Sequence, residues 1–393
     1  MTPAARLSAA ISLLDDILTG EPAERVLTRW ARQNRYAGSK DRAAVRDVVF
    51  DCLRQKRSFG HIAGVGTGRG LVMAHQFKAG EDLPALFSGE RFAPMPMLEV
   101  ETARLNAPEV EASLPEAFDF PDFLLPELLR SLGADLPVVM EAMQQRAPVD
   151  LRVNSLKASM ADAERMLARD LIFTEPHPLA KDALRITQNP RKLAQSLAYS
   201  YGLVELQDVS SQAVAVFCGA KAGMTVLDYC AGGGGKTLAL AAAMKGDGVL
   251  MAHDINPHRM KDLPERASRA GAEVQVLTNE ELQRRNPSCD LVVVDAPCTG
   301  TGAWRRNPDA KWRMDQGFID KVTALQAEIL DIAAGYVKPG GTLAYATCSI
   351  LQIENGDQVQ AFVKRKGWTL ENEISLTPVQ GGDGFYCARL TRK

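Results

Sequence analysis

The stretch Val226-Leu-Asp-Tyr-Cys-Ala-Gly-Gly-Gly-Gly-Lys-Thr237 decides how this chain is read. An apolar run ends at Asp228, the glycines Gly232, Gly233, Gly234 and Gly235 follow, and a helical pattern opens at Lys236. A strand that turns into a helix through glycines is a seat for a cofactor or a phosphate. Glycine lets the backbone come close to a ligand, and the helix start offers free N–H groups. Three ligand readings compete. A Walker A loop needs a glycine at position 230, which is Cys230. A dinucleotide fingerprint starting at Gly232 needs a third glycine at position 237, which is Thr237. An S-adenosylmethionine (SAM) site needs Asp228, the glycine turn, and a second acid ending the next strand to hold the ribose hydroxyls. Val249-Leu-Met-Ala-His-Asp254 supplies that acid, 26 residues beyond Asp228. SAM fits these features best; a glycine turn with only a structural role is the plain alternative.

Working outward, residues 204–393 alternate strand and helix patterns. Strands are expected at 225–228, 249–254, 273–277, 291–295 and 342–347. Helices are expected to begin near Lys236, Pro257, Gln316 and Glu354, and a late strand at 384–390 to pair antiparallel at the sheet edge. This is the pattern of a Rossmann-like, doubly wound α/β domain. Upstream, residues 118–203 read as a small α+β insert, with two short helices at 123–132 and 136–145, a strand at 150–154 and a helix at 161–170. Arg152 and Asn154 on that strand are either ligand-facing or simply exposed.

Residues 1–117 read as an all-helical domain plus a linker. Thr2-Pro3 opens a helix, with Pro where no N–H is needed. Leu7, Ala10, Ile11, Leu14 and Ile17 then share one face, and Gly20 ends it. Ser39 caps a second helix with a stripe of Ala44, Val45, Val48, Val49, Cys52 and Leu53, and Arg42, Arg46 and Arg54 on the other side. The glycine-rich 60–70 reads as a loop, and the Pro- and acid-rich 87–121 as a linker.

Bulk properties exclude several classes. At 393 residues with 46% apolar content, the chain can bury more than one core. No apolar run approaches the roughly 20 residues of a membrane span, and the start has no signal-peptide core, so a cytoplasmic protein is expected. Seven cysteines without a Cys-x-x-Cys pair point to reduced thiols. Five dispersed histidines suggest no metal site. Net charge is −2, but residues 1–60 carry eleven Lys/Arg against seven Asp/Glu. Trp304-Arg-Arg-Asn-Pro-Asp-Ala-Lys-Trp312 interleaves aromatic and basic residues. Both pieces suit RNA; for the second, a packed Trp-rich loop is the alternative. A monomer is expected.

Ligands in such sheets bind beyond the carboxyl ends of the strands. There lie Asp228, Asp254, Asp295-Ala-Pro-Cys298 and Thr347-Cys348-Ser349. Cys52, Cys218, Cys289 and Cys387 read as small core hydrophobes. Cys298 and Cys348 instead follow strands and precede small polar residues. A thiol beside SAM has a specific use. Carbon 5 of a pyrimidine is a poor nucleophile, and a thiolate added to carbon 6 makes carbon 5 enamine-like and able to take a methyl. An acid such as Asp295 helps by donating to ring nitrogen 3, and a second group helps expel the thiolate.

These residues resemble the Sun/RsmB family of RNA 5-methylcytosine methyltransferases. Its cofactor motif, Asp-x-Cys-Ala-Ala-Pro-Gly-Gly-Lys-Thr, is similar to Asp228, Cys230, Ala231, Gly234, Gly235, Lys236 and Thr237 here. Its Asp-Ala-Pro-Cys-Ser/Thr-Gly and Thr-Cys-Ser motifs match residues 295–300 and 347–349. Leu151-Arg-Val-Asn-Ser-Leu-Lys157 and Gln207-Asp-Val-Ser-Ser-Gln212 resemble its upstream segments, and Gly38-Ser-Lys-Asp-Arg42 its NusB-like helical RNA-binding domain. The resemblance implies Cys348 as nucleophile, Cys298 in product release, and Asp295 and Lys236 at the target base. It implies SAM held by the 230–236 loop and Asp254, and a structured ribosomal RNA substrate. Two departures stand out. Gly232 and Gly233 replace Ala-Pro. The acid after the third strand is missing, with Asn279 or Thr278 in its place. Rival readings are a DNA-type enzyme with Cys298 as nucleophile, a P-loop NTPase, and a non-catalytic ribosome-assembly factor.

Overall fold

Thr2 begins the first helix as its chemistry implies. Its hydroxyl accepts the Ala5 N–H at 3.1 Å, and Pro3 opens α1 (Pro3–Leu18). In the computed structural model, which describes residues 1–108 and 110–392, the chain divides into two compact units. The first comprises residues 1–129, 133–146 and 304–315; the second comprises 130–132, 147–303 and 316–393.

The first unit is helical. On α1, Leu7, Ala10, Leu13, Leu14 and Ile17 are buried. A helix that the sequence reading missed, α2 (Ala23–Gln33), follows Gly20 and buries only Ala23, Val26 and Leu27. Three apolar contacts in a strongly charged stretch are too few to stand out as a periodic stripe. On α3 (Ser39–Arg54), Val45, Val49, Cys52 and Leu53 are buried. Gly38 rather than Ser39 is the capping residue, its N–H donating to Asp41 at 3.3 Å. Arg54, expected on the solvent face, is buried and donates from Nε to the Arg305 carbonyl at 2.8 Å.

Two stretches fold differently from expectation. Residues 60–70 are largely helical, split between α4 (Lys56–Ala63) and α5 (Gly68–Lys78). Gly68 serves close packing: a Cβ there would stand 2.5 Å from the Ile11 carbonyl oxygen of α1. Residues 87–121 carry two short helices, Glu99–Leu105 and Leu114–Ala117, and bury Phe87, Leu105 and Phe120. The pair Arg69–Glu101, at 2.7 Å, fixes the first of these helices to α5.

The Trp-rich segment is also part of this core and is not offered to a nucleotide. Trp304 and Lys311 are each 1% exposed. Lys311 Nζ donates to the Arg54 carbonyl at 3.1 Å, and Trp312 Nε1 to the Leu53 carbonyl at 2.7 Å. Burial pulls the Lys311 pKa down to about 8, the nearby Asp119 only partly offsetting it.

The second unit holds two sheets. The smaller is antiparallel, with β1 (Asp150–Val153), β2 (Phe173–Pro176), β3 (Ala183–Gln188) and β4 (Val204–Leu206) in the order β2-β3-β1-β4. Arg152 and Asn154 on and after β1 are buried rather than exposed. Arg152 Nε donates to Gln207 at 2.8 Å, and Asn154 Nδ2 to the Gly202 and Ala270 carbonyls at 2.9 and 2.8 Å.

The larger sheet has seven strands: β5 (Thr225–Asp228), β6 (Val249–His253), β7 (Gln275–Leu277), β8 (Cys289–Asp295), β9 (Val337–Thr347), β10 (Thr369–Leu376) and β11 (Phe385–Thr391). Their order is β10-β11-β9-β8-β5-β6-β7. The first five are parallel where paired, and β11 lies antiparallel to β9. The Rossmann-like expectation holds. The late strand is not at the edge, however, because β10 pairs outside it. Strand order reverses between β5 and β8, and a crevice at such a switch point is where these sheets bind ligands. Among the described residues, no helix is long and apolar enough to cross a membrane.

The packing role of Gly68 is testable. Gly68→Ala should cost about 1–3 kcal/mol, as overpacking against a rigid backbone does, whereas Gly66→Ala, with open space around it, should be near neutral. Urea unfolding followed by tryptophan fluorescence reads both; equal stabilities would refute a close α1–α5 approach.

Candidate active site

The site is built where β5, β6, β8 and β9 end. In the parallel pair β8–β9, Asp295 stands opposite Ala346, so the loops after both strands leave the sheet at one level. The Ala296 N–H donates to the Ala346 carbonyl at 2.8 Å, and the Gly302 N–H to the Cys348 carbonyl at 2.9 Å. This common departure brings Cys298 Sγ to 3.3 Å from Cys348 Sγ. The hydrogen bond to Cys348, followed by burial, holds the Cys298 thiol well above the ordinary cysteine value. Cys298 is thus kept as a thiol, and the two sulfurs share one contact. All seven cysteines are free. Cys52, Cys218, Cys289 and Cys387 are buried, while Cys230, Cys298 and Cys348 are partly accessible.

A residue the sequence reading passed over fixes this geometry. Glu354 is fully buried, and its carboxylate accepts from the Thr299 N–H at 2.8 Å, Gln326 Nε2 at 3.0 Å, and the hydroxyls of Thr299 and Ser349. Thr299 follows Cys298, and Ser349 follows Cys348. One anion therefore clamps both cysteine loops, and its four donors offset the cost of burying its charge. Asn355 adds to the clamp, accepting from Thr347 and donating to the Ser349 carbonyl at 2.9 Å. Nothing in the local sequence marks Glu354, because its partners come from three separate segments.

Lys236 lies on the helix Gly235–Ala243, whose capping residue Gly234 has a left-handed φ of 83°. Its amine donates to Asp295 Oδ2 at 2.8 Å and to Ser211 Oγ at 3.3 Å, and it sits 4.7 Å from the centre of the Phe385 ring. Burial opposes the ammonium form, but the Asp295 carboxylate outweighs it and the Lys236 pKa stands above the ordinary lysine value. The lysine of a phosphate-binding loop would aim at a phosphate; here it is committed to the carboxylate beside the two thiols.

The glycine loop and the first two acids form a second cluster. Asp254, 2% exposed, accepts the Gly232 N–H at 3.0 Å and the Asn256 N–H at 2.9 Å, and Arg259 meets it at 3.1 Å. Gly232 has φ 52°, a conformation glycine takes freely. This gives a local reason for glycine where the resembled motif has alanine. Ala231 donates to the His253 carbonyl at 2.9 Å and accepts the Gly234 N–H at 2.9 Å, which closes the turn. Gly233 accepts from Arg266 through its carbonyl. Asp228 is fully buried; Thr237 donates to its Oδ2 at 2.6 Å, while Oδ1 has no partner. Burial pushes its pKa up to about 7. Burial likewise raises the Cys230 thiol. An orphaned buried carboxylate oxygen, a glycine cradle and an acid at the end of the next strand suit a ligand with a ribose and a cationic centre.

Past β7, Thr278 is spent as a helix cap, accepting the Glu281 N–H at 3.2 Å. Asn279 opens that helix, half-buried, beyond the strand whose Leu277 pairs with His253. Of the two residues considered for the missing acid, Asn279 is the one not spent on capping.

Comparison with known proteins agrees with this architecture. Residues 216–391 match the model of the 16S rRNA methyltransferase RsmB/F family, and residues 120–191 the ferredoxin-like domain of RsmF/B-like methyltransferases. A ribosomal RNA small subunit methyltransferase B from Erwinia tasmaniensis is 34% identical over 289 residues, covering 70% of this chain and 66% of that protein. Its counterpart from Salmonella newport is 35% identical over 293 residues, covering 70% and 67%. The chain thus matches about two thirds of the length of these relatives. The crystal structure of PH0851, 23% identical, superposes with a TM-score of 0.75 over 100% of this chain and 99% of that one, which speaks for the fold. By sequence, this chain belongs to the RsmB/F family of methyltransferases.

Proposed function

We propose that this protein is a SAM-dependent RNA (cytosine-5) methyltransferase acting on ribosomal RNA, the small-subunit RNA by its family. The observation that carries the reading is the pair of thiols 3.3 Å apart at the switch-point crevice, beside the Lys236–Asp295 pair. Two cysteines in contact, each ending a parallel strand, suit a reaction in which one sulfur attacks and the other assists its departure. Bound SAM supplies an activated methyl group. Asp254 is the group to hold its ribose, with the backbone of residues 230–235 along its flank, Asp228 behind the loop, and Asn279 toward its adenosine side.

The chain's own residues do the rest. The Cys348 thiolate forms a bond to carbon 6 of the cytosine. Electron density moves toward ring nitrogen 3, which takes a proton through Asp295, and Lys236 is the reservoir held against that carboxylate. Carbon 5, now enamine-like, accepts the methyl group. The carbon 5 proton then passes to a base, crevice water or Cys298 as thiolate; its electron pair re-forms the carbon 5–carbon 6 double bond and expels Cys348 as thiolate, and nitrogen 3 returns its proton to Asp295. Cys298, in contact with the nucleophile, promotes this elimination. The clamp of Glu354 keeps both sulfurs on one side of the base, the kind of fixed geometry that raises effective concentration.

Asp254→Ala should weaken SAM binding by roughly 1.5–3 kcal/mol, the scale of a charge-assisted hydrogen bond, about ten- to a hundredfold in Kd by equilibrium dialysis. An unchanged Kd would mean the ribose is held elsewhere.

The cysteines separate in a trapping experiment. Cys348→Ala should give neither a covalent RNA adduct nor product. Cys298→Ala should still attack and transfer the methyl, so a protein–RNA species accumulates and survives a denaturing gel. An adduct in Cys348→Ala and none in Cys298→Ala would reverse the roles. Methylation intact without any adduct in either variant would remove covalent catalysis.

A further inference from the structure

The helical unit has a pocket of its own. A cavity of about 350 Å³ lies between the end of α2 and the start of α3, lined by Thr28, Ala31, Arg32, Arg35 and Arg42. Ligand pockets run from roughly 300 to 1,000 Å³, so this one has room for a single small polar group. Its lining holds three guanidiniums and no carboxylate.

Several arginines of this unit are neutralised by neighbours: Arg6 by Asp41, Arg29 by Glu21, Arg46 by Glu24, Arg57 by Asp122 and Arg69 by Glu101. Among the described residues, Arg32, Arg35 and Arg42 form no such pair. Arg42 Nε is closed off from solvent and has no acceptor. A buried donor without a partner, in a pocket of positive charge, is a donor waiting for an anion. The first turn of α3, where Arg42 sits, adds the positive end of a 16-residue helix. Beside the pocket, in the turn joining α2 to α3, Tyr36 is 74% exposed. A large aromatic ring left in water next to three free guanidiniums is the combination that binds single-stranded nucleic acid, with phosphate in the pocket and a base stacked on the ring.

We infer that Arg32, Arg35 and Arg42 form a phosphate-binding pocket for single-stranded RNA, with Tyr36 as the stacking platform for an adjoining base. This rests on the RNA-methyltransferase reading and gives the helical unit its own role: holding the substrate strand at a point other than the target base.

The test uses the full chain and a single-stranded ribosomal RNA fragment, with affinity measured across a salt series. The triple variant Arg32→Gln, Arg35→Gln, Arg42→Gln should bind at least about tenfold more weakly at low salt. Its slope of log affinity against log salt should be shallower by about 2, from three lost charges at roughly 0.7 each on a single strand. Tyr36→Ala should weaken binding about tenfold with the slope unchanged. Arg29→Gln, which removes a charge already paired, should change little. SAM affinity should be the same in all of these. If the parent protein binds the RNA in a salt-dependent way and the triple variant matches it in affinity and slope, the pocket is refuted. If the parent protein has no affinity for the RNA at any salt, the RNA reading itself fails. Equal loss of duplex DNA and single-stranded RNA binding in the triple variant would overturn the single-strand assignment.

Discussion

One buried carboxylate, Glu354, is the constraint on which the site depends. Its acceptors tie the residue after each cysteine to a common point, so the separation of the sulfurs is set by hydrogen bonds and not by the thiols' own weak contact. An isolated buried carboxylate costs several kcal/mol; the Thr299, Ser349 and Gln326 donors make this one tolerable and also directional. The cost of undoing it is asymmetric. Removing the anion would take the Thr299 N–H from its acceptor, at about 1–3 kcal/mol, and would leave Gln326 with only the Pro297 carbonyl and the two hydroxyls with each other and Thr301. The clamp resists loosening because one carboxylate holds a backbone N–H and two hydroxyls at once.

The sheet makes the clamp possible. Parallel neighbours β8 and β9 finish at the same level, so two loops from segments some 50 residues apart meet without either having to reach. One strand over, β5 ends two residues lower, with Asp228 opposite Val293, and Lys236, just past the glycine turn, reaches Asp295. Cofactor cluster and thiol cluster are therefore joined by one ion pair. Asp295, itself 34% exposed, satisfies the buried ammonium of Lys236 in a place where that amine alone would be poorly solvated.

Much of this was legible from local patterns. Asp228, Asp254 and Asp295 each end a short apolar run, and runs of that length between helical segments leave little choice but parallel strands with acids at their carboxyl ends. Cys298 and Cys348 stood out for the same reason. What failed to be legible depended on distant partners. The alternating Trp and basic residues of 304–312 read as an RNA surface; they are buried because carbonyls at Leu53 and Arg54 accept Trp312 and Lys311. Arg152 and Asn154 looked exposed on a strand of unknown neighbours, and their acceptors at Gln207, Gly202 and Ala270 supply the burial. The glycines at 60–70 signalled a loop by composition, whereas Gly68 answers to the closeness of α1. Glu354 combined both difficulties: a common residue type, and four donors from elsewhere.

The central claim is that carbon 5 of a cytosine is the atom methylated, by way of addition at carbon 6. RNA transcribed with cytidine tritiated at carbon 5 tests it directly, because methylation there must expel the tritium. Covalent catalysis at carbon 5 predicts tritium released to water in step with methyl groups incorporated, one for one, with both lost in Cys348→Ala. Methyl incorporation with the tritium retained would place the methyl on another atom and contradict the assignment of the two thiols.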